Sequence, residues 1–488
     1  MGPFRDLVLL SFGRGLQVLA GLVTIKVATT ILSPGELGSV NQMMSLAALG
    51  ASGVLAPVAT YIQRGFLEWL DAGTLRQRLG SYFFFILAVS VLFGLAIWML
   101  QDRTSLVSGV SPRWVGTLVA LNLLGVSAYT MAASGLNLLR HRLLYVVFGN
   151  IAVWGGLAFV LHLSQGGASP EIWLLGINGG FLLASLSYVF LFQYARRPAS
   201  VHPAPMGEAV VFDRWNIFMF AWPQVIVYGL WWIQSQSYRF VLNWVSDIAS
   251  VGMFAAAYMI CSVPIQMFET LFNDFYSPKL YESLKNHDAA GIVRAWNAYA
   301  CAYIPAVLLF GAFIAGNAVF LVKLVLGEQF QAVAPILIWP ALTETMRASA
   351  SSLYTLGIAK VDMRVNLPSV IAGAMTAPVL VMLFAPHNPL LGTALALLGA
   401  GGAALAVGLY VSYRTLPVTW PVRRIGVAAV LGLLLGAMGY ILNAMIGELT
   451  TGKAALALVV SSLVMVSLQY AMGKKWLREM PQSSEVAA

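Results

Sequence analysis

A chain of 488 residues that is 59% hydrophobic and only 10% charged is too apolar for water, where globular domains run at about 25% charged. Its mean hydropathy of +0.80 and recurring apolar runs of about twenty residues point to membrane-spanning helices and exclude a transmembrane barrel, whose strands alternate. The net charge of +9 is spread over short loops between those runs, as a topology signal is, which argues against a nucleic-acid surface.

In chain order, "MGPFRD" leads straight into an apolar run with no small-residue cleavage site, so the first run is read as a retained span. Asp6 stands where a myristoylation signal needs Ser or Thr. Fourteen helices are predicted: Leu7–Leu32, Leu37–Gln63, Leu79–Leu100, Trp114–Leu138, Leu143–Leu163, Ile172–Tyr194, Trp215–Val241, Ser250–Phe275, Trp296–Leu321, Val333–Ile358, Val365–Phe384, Leu390–Tyr413, Ile425–Ile446 and Ala454–Met472. Pro223, Pro264, Pro305 and Pro340 interrupt the spans of the second half and mark kinks. Cys261 and Cys301 fall inside spans and are read as buried thiols.

With the N-terminus in the cytoplasm, that side collects twenty of the 28 Lys and Arg residues, including Arg64, Arg140, Arg196, Lys279 and Arg414. The opposite loops hold Arg103, Arg113 and Lys453. An even number of spans with both termini cytoplasmic follows from this bias.

The chain also repeats itself. "LSPGELGSV" after the first span matches "VSDIASVGMF" after the seventh, with Gly38 against Gly252. "DAGTLRQR" matches "DAAGIVRA", and "TMAAS" (Thr130–Ser134) matches "TMRAS" (Thr345–Ser349), all at nearly constant offset. Two six-helix lobes in parallel are therefore expected, at 1–195 and 215–413, joined by a Pro-containing polar linker at 196–214. Residues 414–473 add helices thirteen and fourteen, and 474–488 form a cytoplasmic tail. Parallel-repeat membrane proteins place substrate between lobes that rock against each other, which points to a transporter.

"FGRGLQVLAGLVTIKVATTILSPGELGSV" and "YRFVLNWVSDIASVGMFAAAYMI" resemble the multidrug/oligosaccharidyl-lipid/polysaccharide (MOP) flippase superfamily, most of all its polysaccharide-transporter branch of O-antigen-type flippases. The resemblance extends over both lobes, to about Tyr413. It implies a two-lobed fold around a cationic cavity. The implied activity is transfer of undecaprenyl-diphosphate-linked oligosaccharide from the inner to the outer leaflet of the bacterial cytoplasmic membrane. Polysaccharide polymerase and glycosyltransferases are the partners it implies, with membrane lipid around the protein. Fourteen helices also resemble the lipid II flippases, but their acidic–aromatic and Arg-Leu-Pro-Asn signatures after the first span are missing.

Five basic residues fall within spans or at their ends: Arg14, Lys26, Arg239, Lys323 and Arg347. A charge at mid-bilayer costs at least ~2.5–3.5 kcal/mol, so it is expected to face a cavity or a partner. Arg347 is deepest and shares a helical face with Thr343, Glu344, Ser351 and Tyr354, where Glu344 can pair with it at i, i+3. Arg14 shares a face with Ser11, Gln17 and Gly21. Arg239 ends the polar run "QSQSYR", and Tyr238 precedes it where the resembled family often has Asp. Lys26 faces elsewhere on the first helix, and Lys323 is read as interfacial. A guanidinium suits a lipid-linked diphosphate because it donates bidentate hydrogen bonds and stays charged when desolvated. Candidate sugar contacts are Asn41, Gln63, Asn122, Tyr129 and Asn137 in the first half, with Trp231, Gln234, Gln236 and Tyr354 in the second. Glu269, with Asp274 near it, is the candidate for a coupling ion.

Nothing points to a cofactor, a metal or an enzyme. There is no GxxxxGK[ST] phosphate loop, the five histidines lack metal-ligand spacing, and no embedded nucleophile stands beside a base. A cation-coupled multidrug exporter is the alternative transporter, although the first lobe has no acidic residue inside a span. A membrane glycosyltransferase or ligase would need a large outer loop, and the longest spans Gln101–Arg113.

Overall fold

The computed structural model describes residues 3–195, 213–285, 289–359, 363–415, 420–446 and 449–479, so the linker of 196–214 and the tail lie mostly outside it. All regular structure among the described residues is helical. The main helices are α1 (Pro3–Ile31), α2 (Pro34–Asp71), α3 (Leu75–Thr104), α4 (Pro112–Leu138), α5 (Arg142–Gly166), α6 (Pro170–Tyr194) and α7 (Trp215–Val245). The second half adds α8 (Ile248–Lys285), α9 (Ala289–Gly316), α10 (Ile338–Ala359), α11 (Leu367–Phe384), α12 (Pro389–Thr415), α13 (Val422–Ile446) and α14 (Thr451–Glu479). Among the described residues, thirteen are long and apolar enough to cross a membrane. The remaining one is α10, which carries Glu344 and Arg347. Large apolar side chains such as Leu433, Met445 and Trp244 are exposed, a surface suited to lipid. The chain is a multi-pass membrane protein.

Packing separates two compact units. The first contains Met1–Ala255 with Ala377–Pro389, and the second contains Ala256–Thr376 with Leu390–Ala488.

In the first unit, "SPGE" starts α2 as a capping box. The Ser33 hydroxyl accepts from the Glu36 amide (3.4 Å), Glu36 accepts from the Ser33 amide (2.8 Å), and Pro34 occupies the first turn. Asp247 caps the start of α8 by accepting from the Ser250 amide at 2.7 Å. These two repeat-equivalent helix starts touch one another. A Cβ on Gly38 would collide with the Ile248 carbonyl, and one on Gly252 with the Pro34 carbonyl. Pro34 and Ile248 are themselves equivalent by the repeat, so the contact is reciprocal, as across a local twofold axis. Only glycine permits this backbone approach.

The prolines act differently from one another. Before Pro57, α2 loosens into a π-turn at Ala51–Leu55 that absorbs the missing amide, and the helix then runs on to Asp71, beyond the predicted Gln63. Pro305 lies inside α9, as expected. Pro340 does not interrupt α10. A 3-10 segment at Glu328–Ile336 holds Pro335 and replaces the predicted first turn, so α10 begins at Ile338 with Pro340 in its opening turn. There the amide has no helical partner to lose. The predicted ninth span also stops early, at Gly316, and a separate helix covers Ala318–Val325.

In the second unit, α13 and α14 pack onto α9 and the helix that follows it. Gly439 meets the Gly316 carbonyl, Ala428 and Met472 pack on Leu309, and Ala454 and Ala457 pack on Phe320.

Candidate functional site

The embedded charges gather into three clusters, two in the first unit and one in the second.

Arg239 stands near the end of α7, and only 8% of it is exposed. Its guanidinium donates to Ser45 Oγ of α2 at 3.1 Å and to Gln236 Oε1, one turn earlier on α7. It also lies over the Tyr238 ring, 4.8 Å from the centroid. Gln42 Nε2 donates to the Arg239 carbonyl (3.3 Å), and Trp232 Nε1 donates to the Ser45 carbonyl (2.7 Å). These contacts orient the guanidinium without neutralising it. Among the described residues no carboxylate lies within ion-pair distance of Arg239. Asn41, one turn before Ser45, is buried and donates to the Leu37 carbonyl at 2.9 Å. Gln234 keeps a buried Oε1 with no partner among the described residues.

Arg14 is half-buried on α1. It donates to Gln17 Oε1 at 3.1 Å and to the Tyr145 hydroxyl of α5, with the guanidinium 5.3 Å from that ring's centroid. Gly149 opens the space that Gln17 and the Tyr129 hydroxyl occupy, since a Cβ there would meet both. Lys26 is half-buried on the same helix, and its carbonyl accepts from the Thr30 hydroxyl at 2.7 Å.

Arg347 is held differently. Nε donates to Glu344 Oε2 at 2.8 Å, and Nη2 donates to Glu269 Oε2 of α8 at 3.0 Å. Glu344 Oε1 also accepts from the Tyr258 hydroxyl, and Glu269 Oε1 from the Ser351 hydroxyl. The Glu344 side chain is fully buried, whereas Glu269 and Arg347 keep 13% and 20% of theirs exposed. Two carboxylates answer one guanidinium, so the ionised cluster carries a net charge of −1. Tyr303 of α9 stands beside these charges. It is fully buried, and its hydroxyl has no partner among the described residues.

The Tyr354 and Asp274 side chains lie outside the described residues. Asn122 donates to Asn178 Oδ1 at 2.8 Å, a helix–helix packing contact between α4 and α6. Among the described residues no group of three or more His, Cys, Asp or Glu side chains could hold a metal. Sequence reasoning did not single out Ser45, Tyr145 or Tyr258. Each joins its arginine or glutamate from a distant helix, and no local pattern signals that.

No protein-family model matches the chain, and no curated protein matches it. Solved structures do. The lipid II flippase MurJ in an inward closed conformation superposes with a TM-score of 0.66 at 12% identity, covering 98% of this chain and 100% of that one. A eukaryotic MATE transporter, AtDTX14, gives 0.56 at 12% identity, covering 88% and 96%. The Vibrio cholerae MATE transporter VcmN gives 0.55 at 11% identity, covering 84% and 96%. The architecture is thus that of polytopic helical transporters. More narrowly, its fold is the one that these flippase and MATE transporter structures share.

Proposed function

We propose that the chain is a flippase that carries undecaprenyl-diphosphate-linked oligosaccharide units from the inner to the outer leaflet of the bacterial cytoplasmic membrane. The observation that carries this reading is Arg239. A buried guanidinium inside a span, held only by neutral groups, keeps its attraction for an anion that arrives from outside. A diphosphate supplies that anion, and its lipid anchor delivers it within the membrane. Arg14, oriented by Gln17 and Tyr145, is the second guanidinium assigned to the headgroup. Lys26, Asn41 and Gln234 are the remaining first-unit candidates for headgroup and sugar. Within this reading Arg347, Glu344 and Tyr354 are the α10 candidates for substrate contact, ranked below Arg239 because Glu344 and Glu269 already pair with Arg347, and Glu269 is the carboxylate that takes up a coupling proton or cation. The match to the lipid II flippase over nearly the whole chain, α13 and α14 included, supports a lipid-linked cargo over a soluble drug.

Binding of undecaprenyl diphosphate to the purified protein tests the proposal. A charge-assisted hydrogen bond contributes about 1.5–3 kcal/mol, so Arg239→Gln is expected to weaken binding by roughly 10–150-fold. Arg239→Lys should keep part of the affinity, because the charge stays and the fork is lost. Unchanged affinity in Arg239→Gln would sink the assignment.

A further inference from the structure

We infer that the flank of α3 and α4 holds a bilayer phospholipid, with one acyl chain along a groove between the helices and the phosphate on Arg113. The groove has a volume of about 430 Å³ and lies within the first unit.

Its shape follows from residue sizes. Gly94 of α3 and Gly116 of α4 touch backbone to backbone, since a Cβ on Gly94 would meet the Gly116 carbonyl at 2.8 Å and one on Gly116 the Gly94 carbonyl at 2.6 Å. With Ser90 and Ala120 they form a low floor, while Leu87, Leu95 and Trp98 on one side and Leu121 and Leu124 on the other raise the walls. Small residues at a helix seam permit this close approach. From Leu87 to Trp98 the groove runs about 16 Å at 1.5 Å per residue, close to half of a ~30 Å hydrocarbon core. One acyl chain fits that length within one leaflet.

Its chemistry changes at one end. Arg113, which lines the groove, is exposed on the first turn of α4 and has no hydrogen bond or ion pair among the described residues. The amides of that turn also lack a side-chain cap, because Ser111 makes none. A free guanidinium beside an uncapped helix N-terminus favours an anion. Trp98 lines the same end and Trp114 neighbours Arg113, both exposed, as side chains at the headgroup level are. A long apolar trough ending in an unpaired cation complements an amphiphile with an anionic head. Ordinary lipid contact would require no such end.

The test is native mass spectrometry of the full-length protein purified in detergent with added phosphatidylglycerol. The wild type should retain a bound phosphatidylglycerol. Arg113→Gln should lose it about tenfold, while Arg113→Lys, which keeps the charge, should retain most of it. Thr117→Trp, which fills the groove from its exposed rim, should abolish retention, and a single gel-filtration peak would show that this variant folds. Equal retention in wild type and Arg113→Gln would overturn the proposal. So would displacement of phosphatidylglycerol by equimolar undecaprenyl phosphate, which would assign the groove to a polyprenyl chain.

Discussion

Arg347→Ala is expected to damage the fold of the second unit more than any other single charge removal. The substitution leaves Glu344, fully buried, and Glu269, 13% exposed, both aimed at the vacated guanidinium position. Removing one partner of a buried ion pair costs about 3–5 kcal/mol because the remaining charge is stranded. With an unfolding entropy of about 2.1 cal/mol/K per residue over 488 residues, that loss lowers Tm by roughly 3–5 °C. The assay is thermal unfolding of the detergent-solubilised protein followed by intrinsic fluorescence. Adding Glu344→Gln to Arg347→Ala removes the stranded buried charge and should recover at least half of the loss. A non-additivity of that sign separates a pairing effect from simple loss of packing. A Tm for Arg347→Ala within about 1 °C of the wild type would refute the reasoning, because Arg347 would then contribute nothing as the counter-charge of two carboxylates.

Three further expectations follow from individual contacts. Tyr258→Phe removes the hydroxyl that donates to Glu344 and should destabilise the protein by about 1–3 kcal/mol, read in the same thermal assay. Gly252→Val places side-chain atoms where the Pro34 carbonyl stands, so folded yield on gel filtration should collapse, whereas Gly402→Ala, with open space around it, should leave the yield unchanged. Glu269→Gln leaves a one-to-one pair between Arg347 and Glu344 and should keep Tm within about 1 °C of wild type. If Glu269 carries the coupling ion, the same variant loses the pH or cation dependence of transport in proteoliposomes, and retention of that dependence would exclude the role.

Much of the architecture is legible because lipid imposes few solutions. Apolar runs of the right length give the helices, and the Ser-Pro-Gly-Glu capping box marks where α2 begins. The glycines at offset positions in the repeat turn out to touch, which the matched strings alone did not require. The start of α10 was misplaced because the run from Val333 is as apolar as a helix, and two prolines divide it between a 3-10 segment and a helical first turn. The Glu344–Arg347 pair was legible from its i, i+3 spacing. The arrival of Glu269 from α8 was not, since it depends on how two helices rotate against each other once their apolar faces are buried.

That third partner changes what an embedded arginine means. Arg347 and Arg239 look alike as sequence, each a single basic residue in a polar stretch of a span. Their partners divide them. Carboxylates at 2.8 and 3.0 Å cancel the field of Arg347 and leave its cluster negative when ionised. Ser45, Gln236 and Tyr238 fix the Arg239 guanidinium with lone pairs and a ring face, which orient a cation but do not remove its charge. A buried ion pair is a structural solution to a charge in the membrane, and a buried cation among neutral groups is an unfinished one. By that criterion the anion-seeking residue of this chain is Arg239, and the depth of Arg347 within its predicted span is a poorer guide to substrate contact than the company it keeps.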